Sequence, residues 1–312
     1  MTGAGGQGAA FEHRALLYKG PEEYVGGIAS FVRDGSTAGE PALVAVPGAR
    51  IDLLRAGLDG SVAGSTFVDM AHLGRNPARI VPAIRAFADA HPGRRTRFVG
   101  EPVWPGRLPA ETSEVARHEA LLDSAFAGTP ITILCPYETA ELDEAVVTAA
   151  ALQTHPHLLE RGRQRPSACY DPSATLAVGR QALAAPPAHA EALAFHHQDL
   201  AGLRRLVTEH AEGGGLAAGR VAELVLAVNE VATNSLVHGG AAGTLRVWWD
   251  AWSLVCEVSD RGHIADPLAG RIRPISGALG GRGLWLANQL CDLVELHSGQ
   301  WGTVVRLHAR RD

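Results

Sequence analysis

The chain has 312 residues, which is long for one domain and enough for two, each with its own hydrophobic core. Its 28 basic and 33 acidic residues give a net charge of −5, so no global positive field would attract nucleic acid or an anionic membrane. The four cysteines are scattered without a CxxC pair, which argues against a zinc site or a disulfide framework and favours a reducing compartment, the cytoplasm.

The N-terminal residues MTGAGGQGAA contain no basic stretch followed by an apolar core, and no run of about 18 apolar residues occurs in the chain. The sequence therefore predicts neither a signal peptide nor a membrane span. Because residues 1–10 are rich in Gly and Ala, we expect them to form a disordered tail.

Between Phe11 and Gln153, five short apolar runs each precede a helix-periodic segment. This alternation predicts an α/β domain with a parallel sheet covered by helices on both faces. In such sheets ligands bind beyond the carboxyl ends of the strands. The candidate ligand-binding positions are therefore Gly48–Arg50, Asp69–His72, Glu101 and Cys135–Glu138.

No phosphate-binding loop follows the second predicted strand. The turn in VAVPGARIDLL lacks the pattern GxxxxGK[ST], so this domain is not expected to hydrolyse a nucleotide. Cys135 follows an apolar run and is better explained as a small core residue than as a redox sensor. His155 and His157 could bind metal from a loop, but a structural turn is the favoured interpretation.

Several segments resemble one known sensory domain: FEHRALLYKGPEEY, FVGEPVWPGR, HEALLDSAFAGTPITILCPYE and THPHLLERG. Residues 11–178 look like the MEDS domain, the DcmR-type sensory domain of methanogens and methylotrophs. The resemblance implies a RecA-like fold without a working P-loop and a role in sensing a small organic ligand. It does not name the ligand.

The next stretch, residues 161–187, mixes charge, Pro and Ala without sustained periodicity and indicates a linker, with 179–189 separating the two domains. His196 and His197 stand at the start of a helical pattern. A phosphoacceptor histidine would require a long helical hairpin, for which this region is too short. A surface or boundary role is favoured for both histidines.

Residues 190–312 predict a second domain with helices and an antiparallel sheet in two layers, an α+β sandwich. The predicted helices are Asp199–Glu212, Gly219–His238 and Leu284–Asp292. Four predicted strands, TLRVWWDA, LVCEVSD, LVELHSG and GTVVRLHA, complete the sheet.

Four polar or Gly-rich features interrupt this apolar pattern. Glu230 and Asn234 lie four residues apart on one helix face, about 6 Å from each other. Asp260-Arg261-Gly262 ends a strand, where a carboxylate can accept from an amine while the glycine admits a ring. Gly280-Gly281-Arg282-Gly283 precedes a helix, a favourable place for phosphate, and Thr303 lies in the last strand pair.

This order resembles the GHKL ATPase superfamily, and within it the bacterial anti-sigma-factor serine kinases. NEVATNSLVHG is similar to the N box, SDRG to the first Gly box and GGRGLWLANQLCD to the second. The resemblance implies that ATP and Mg²⁺ are bound, with Asn234 as the metal ligand. Asp260 would contact the adenine amine and Gly262 would support the base. By the same resemblance Gly281, Arg282, Gly283 and Thr303 belong to the nucleotide site, and Glu230 is the general base.

Two departures from the family pattern concern the nucleotide site. The first Gly box reads DRGH instead of DxGxG, and residues 265–279 are short for an ATP lid. A short lid suits the anti-sigma group, in which the partner protein covers the site, and weakens the histidine-kinase interpretation.

The sequence therefore predicts a two-domain regulator that senses a small molecule, binds Mg-ATP, and phosphorylates a serine of an anti-sigma-factor antagonist or binds a sigma factor. The mechanism implied is partner switching. Two alternatives stay open: a non-catalytic ATP-binding module that sequesters a sigma factor, and a sensor histidine kinase. The oligomeric state also stays open, with a homodimer among the alternatives.

Overall fold

The computed structural model describes residues 11–58, 65–178, 182–274 and 281–311. The tail predicted for residues 1–10 lies outside the described residues. The chain divides into two compact units, one ending at Leu176 and the other beginning at Ala177. Each unit contains its own sheet.

A seven-stranded sheet forms the centre of the first unit. Its strands are β1 (Phe11–Tyr18), β2 (Ala42–Val46), β3 (Ser65–Asp69), β4 (Thr96–Gly100), β5 (Ile131–Glu138), β6 (His157–Glu160) and β7 (Arg163–Pro166). The strand order is β3-β2-β4-β5-β1-β6-β7. Every residue of β5 is buried, as expected for a central parallel strand between helices.

The sheet is mixed, whereas the sequence predicted a parallel one. All its pairs are parallel except β6 with β7, which form an antiparallel hairpin. The sequence predicted a linker over this stretch because it mixes charge, Pro and Ala without periodicity. Arg161 and Gly162 instead form the turn of the hairpin, with φ of 48° and 72°. The hairpin therefore belongs to the folded first unit, while residues 182–190 form neither helix nor strand.

Helices connect the strands of the first unit in the order that the sequence predicted. They are α1 (Gly20–Thr37), α2 (Gly48–Gly57), α3 (Met70–Leu73), α4 (Ile80–Asp89), α5 (Pro109–Phe126), α6 (Glu144–Val147) and α7 (Pro172–Val178). A π-helical turn, Thr148–Leu152, follows α6. The helix α5 is unusual because it buries His118 and Glu119 at 2% and 1% exposure, in addition to its apolar residues.

The second unit is an antiparallel sheet covered by helices, as predicted. It contains β8 (Glu191–Phe195), α8 (Leu200–Gly213), α9 (Ala218–His238), β9 (Gly243–Trp249), β10 (Ser253–Asp260), α10 (Arg282–Leu290), β11 (Leu293–Gly299) and β12 (Gly302–Arg310). The strand order is β11-β12-β10-β9-β8. Leu203, Leu224 and Ala287 of the three helices share one core with Cys256 and Leu307 of the sheet.

The strand β8 was not predicted. It is only five residues long, lies at the sheet edge, and has one fully buried side chain, Phe195, so its apolar alternation is weak. His196 follows it directly and caps a short 3-10 turn, His197–Asp199.

Candidate functional site

The C-terminal half of α9 carries the predicted acid and amide. Glu230 and Asn234 occur one turn apart, and both side chains are half-buried. Val231 and Ser235 follow them on the buried side of the helix. The helix therefore packs against the core through its apolar face, and Glu230 and Asn234 lie at the edge of that face.

Asp260, the last residue of β10, is held in a fixed orientation. Its Oδ2 accepts a hydrogen bond of 2.6 Å from Ser235 Oγ, and its Oδ1 accepts one of 2.6 Å from the Gly262 N–H. A carboxylate can accept about four hydrogen bonds, so two lone pairs are left for other donors. The sequence did not single out Ser235. Its hydroxyl within an apolar helical stripe is the signal that could have identified it.

Glycines let the backbone approach Asp260 closely. A Cβ on Gly239 would come within 2.4 Å of Asp260 Cγ, and one on Gly262 within 2.8 Å of the His238 carbonyl oxygen. Such distances would force these groups apart. The tight turn after β10 therefore requires both glycines.

Thr303 on β12 closes the other side of this turn. It pairs with Asp260 across the sheet, and its Oγ1 donates a hydrogen bond of 3.0 Å to the Gly262 carbonyl oxygen. Its side chain is 3% exposed. Ser298, which the sequence did not indicate, lies 2.9 Å from Thr303 Oγ1 and hydrogen-bonds with it behind this turn.

The N-terminus of α10 faces α9. Gly281 occupies the N-cap position with φ of 76°, which glycine adopts without steric cost. A Cβ on Gly283 would lie 2.4 Å from Asn234 Nδ2, so the absence of a side chain lets the helix start pack against that amide. Arg282 is exposed, and Gly280 lies outside the described residues.

Part of this set lines a cavity of about 660 Å³. Of the eight predicted site residues, five line it: Asn234, Asp260, Gly262, Gly281 and Thr303. The others, Glu230, Arg282 and Gly283, do not line it. The apolar part of the wall consists of Val231, Ile264, Leu268, Ile272, Leu284 and Val305. Residues 265–274 of the predicted lid are described and contribute to this wall, while 275–279 lie outside the described residues.

In the first unit, the strand ends bring together Arg50 and Glu101, both indicated by the sequence. Glu101 accepts hydrogen bonds from Tyr18 at 3.0 Å and Tyr24 at 2.7 Å, and Arg50 forms an ion pair with it. Burial raises the pKa of Glu101 to about 7, although the positive charge of Arg50 opposes that rise. A polar cluster therefore occupies the carboxyl ends of β1 and β4.

The other strand-end residues have structural contacts. Asp69 caps α3 and accepts a hydrogen bond of 2.9 Å from the Gly48 N–H, and Glu138 accepts one of 3.1 Å from the Gly20 N–H. Cys135 is buried, and its Sγ lies 3.4 Å from Glu119 Oε2, so its surroundings are not purely apolar. His155 is fully buried whereas His157 is exposed, so the two do not form the loop pair considered from their spacing.

The antiparallel sheet, the paired glycine turns and the Asp260 and Asn234 side chains define a GHKL-like ATPase fold. A family model described as "Histidine kinase-like ATPase domain" matches residues 193–309. A second, described as "MEthanogen/methylotroph, DcmR Sensory domain", matches residues 12–156. The chain therefore carries a MEDS domain followed by a histidine kinase-like ATPase domain, which supports an ATP-binding, kinase-like module in its C-terminal unit.

Comparison with individual proteins adds little. No curated protein matches the chain. Among matching solved structures are the RsbU and RsbW domains of Rv1364c from Mycobacterium tuberculosis, with 19% identity and a TM-score of 0.29. The match covers 38% of this chain and 32% of that one, and a likeness of this size defines neither activity nor partner.

No described helix is both long and apolar enough to cross a lipid bilayer.

Proposed function

We propose that the chain is a signal-responsive regulator whose C-terminal unit binds Mg-ATP and phosphorylates a serine of an anti-sigma-factor antagonist. The observation that carries the nucleotide-binding part is the convergence of Asn234, Asp260, Gly262, Gly281 and Thr303 on one cavity. The phosphorylated and unphosphorylated antagonist would then differ in affinity for the kinase, which would release or retain a sigma factor.

The cavity suits an adenine base at its sheet side. The two lone pairs of Asp260 that Ser235 and Gly262 leave unused can accept from an exocyclic amine. Gly262 has no side chain to obstruct a ring placed beside that carboxylate. The apolar wall formed by Ile264, Leu268 and Val305 would cover the faces of the ring.

The start of α10 suits phosphate groups. Its first N–H groups have no partner within the helix, and the helix dipole favours negative charge at this end. Asn234 lies directly against Gly283, and its amide oxygen is a ligand type that Mg²⁺ accepts. The ion, when bound, supplies positive charge that neutralises the phosphate oxygens. Arg282 is exposed at the same helix start and can approach the phosphates from solvent.

Glu230 is the proposed general base. It precedes Asn234 by one helical turn and does not line the cavity wall, so we place it beside the proposed phosphate end. A serine hydroxyl of the partner would give its proton to the Glu230 carboxylate as its oxygen bonds to the γ-phosphorus. The bond from that phosphorus to the bridging oxygen of the diphosphate breaks at the same time.

The MEDS domain is the proposed sensor, with a small organic ligand at the strand ends near Arg50 and Glu101. The polar cluster there places two tyrosine hydroxyls, a guanidinium and a carboxyl group at the edge where parallel sheets bind ligands. Regulation requires that the ligand bind two states of the protein with different affinity.

The test uses purified full-length chain, Mg-ATP labelled at the γ-phosphate, and an antagonist protein that binds the chain. The Glu230→Gln variant should lose serine phosphorylation while retaining ATP affinity, because the amide keeps the shape but cannot accept the proton. Glu223→Gln is the matched control, since Glu223 lies on the same helix but pairs with Arg220 at 2.6 Å. Full transfer by Glu230→Gln would rule out the assigned base.

A second candidate is a binding module in which ATP only shapes the surface that sequesters a sigma factor. The position of Glu230 outside the cavity wall favours it. This candidate predicts no labelled serine in any partner and unchanged sigma-factor binding by Glu230→Gln. A histidine kinase would carry acid-labile phosphate on the chain itself. Among the described residues, His196 follows a strand and is exposed, and no helical hairpin surrounds it.

A further inference from the structure

Four side chains that can ligate a metal meet in the core of the MEDS domain. His13 comes from β1, Glu119 from α5, Cys135 from β5, and His155 from the segment after the π-helical turn. All four are buried, and one ligand atom from each lies within 4.8 Å of the ligand atoms of the others. Polar groups of this kind are rarely fully buried without a partner that compensates their desolvation.

Four of the six distances between the ligand atoms are close to the edges of a tetrahedral site. Glu119 Oε2 lies 3.1 Å from His13 Nε2, 3.5 Å from His155 Nε2 and 3.4 Å from Cys135 Sγ. Cys135 Sγ lies 3.6 Å from His13 Nε2. Bonds of about 2.0–2.1 Å from zinc to nitrogen or oxygen and about 2.3 Å to sulfur give tetrahedral edges of about 3.3–3.6 Å.

We propose that this cluster is a buried metal site that binds one Zn²⁺ through His13 Nε2, Glu119 Oε2, Cys135 Sγ and His155 Nε2. The carboxylate and a thiolate together neutralise the two charges of the ion, and the thiol proton is released on binding. Two imidazoles, a carboxylate and a thiolate suit zinc and exclude Mg²⁺ and Ca²⁺, which require oxygen ligands. Four protein ligands fill the tetrahedron, which is typical of a structural site.

Contacts outside the tetrahedron turn both imidazoles toward its centre. His13 Nδ1 lies 3.5 Å from Asp123 Oδ1, and His155 Nδ1 lies 2.9 Å from the Ala151 carbonyl oxygen. Ligating histidines in proteins direct their second nitrogen to a carboxylate or a backbone carbonyl in the same way.

Three buried atoms of the cluster lack a hydrogen-bond partner in the described structure. They are His13 Nδ1, Glu119 Oε1 and His155 Nε2, on side chains with no solvent exposure. Leaving a buried polar atom without a partner costs free energy. Because the Nδ1–H of His155 donates to the Ala151 carbonyl oxygen, Nε2 carries a lone pair, and a metal at the cluster centre is a partner that fits it.

The scattered cysteines, with no CxxC pair, had argued against a zinc site in the sequence analysis. The four ligands come from positions 13, 119, 135 and 155, and the parallel sheet brings them together by pairing β1 with β5. Ala15 of β1 lies opposite Cys135 of β5 in that pairing. His13 lies two residues before Ala15, so it is on the same face of the sheet as Ala15 and Cys135. The site is independent of the nucleotide cavity and of any kinase activity.

The test measures metal directly on purified full-length chain. Elemental analysis should find one zinc per chain in protein expressed with zinc. Refolding with Co²⁺ instead should give the visible bands of tetrahedral cobalt together with a thiolate-to-cobalt charge-transfer band. Cys135→Ala should lose the charge-transfer band, whereas Cys256→Ala, which removes another buried thiol, should keep it.

A second variant guards against loss by misfolding. Asp123→Asn leaves all four ligands in place and should weaken metal affinity by about 10- to 100-fold, because Asp123 only orients His13. Far-ultraviolet circular dichroism checks the fold of each variant. Wild-type protein that takes up less than one metal ion per chain, or cobalt bands unchanged in folded Cys135→Ala, would overturn the proposal.

Discussion

Asp260 offers the sharpest test of the nucleotide site, because its replacement by asparagine changes charge with little change of shape. In Asp260→Asn, Oδ1 can still accept from the Gly262 N–H, and the Ser235 hydroxyl can rotate to accept from the new amide. The turn after β10 should therefore persist. The group that loses its anionic acceptor is the amine of the bound base.

A hydrogen bond to a charged group contributes about 1.5–3 kcal/mol, which corresponds to about 10- to 150-fold in affinity. Isothermal titration calorimetry with a non-hydrolysable ATP analogue should show a loss of this size. GTP should lose less, since the new amide can donate to its ring oxygen. Asp266→Asn is the matched control, because Asp266 also lines the cavity but is exposed. Equal losses in both variants would refute the reasoning and indicate a general charge effect.

Two further predictions concern other parts of the chain. Gly283→Ala should weaken Mg-ATP binding while the fold is retained, because the added Cβ would displace the Asn234 amide. Gly202→Ala is the control, since its Cβ would meet nothing within 4 Å. Unchanged affinity of Gly283→Ala in calorimetry would contradict the prediction. The free energy of unfolding should fall by about 3 kcal/mol more in wild type than in Glu101→Gln as pH rises from 4.5 to about 7. The reason is that the Glu101 carboxyl group binds its proton more tightly in the folded chain than in the unfolded chain. Denaturant titrations in which both proteins lose stability equally over this pH range would contradict the prediction.

The secondary structure of the second unit could be predicted from sequence because its helices and strands have strong periodicity. The long helix was predicted as Gly219–His238 and is observed as Ala218–His238. The edge strand β8 and the hairpin of β6 and β7 escaped prediction. Both are short, exposed along much of their length, and fixed by pairing with distant strands, which local sequence does not encode.

The candidate sites also divide into residues that local sequence predicts and contacts that depend on tertiary packing. Asn234, Asp260 and Thr303 could be nominated because each interrupts an apolar run at a strand end or on a helix face. The supporting contact of Ser235 with Asp260 spans 25 residues and depends on how α9 packs against β10. The buried cluster around Glu119 was missed because its members are even farther apart in the chain, by as many as 142 residues, and only the tertiary fold brings them together.

One helix connects the separate parts of the nucleotide site. Ser235 on α9 orients the carboxylate proposed to bind the base, and Asn234 packs against the glycine that begins α10 at the proposed phosphate end. Glu230 lies on the same helix, one turn before Asn234. A rotation or shift of α9 would therefore move the proposed base contact, the proposed metal ligand and the proposed general base together.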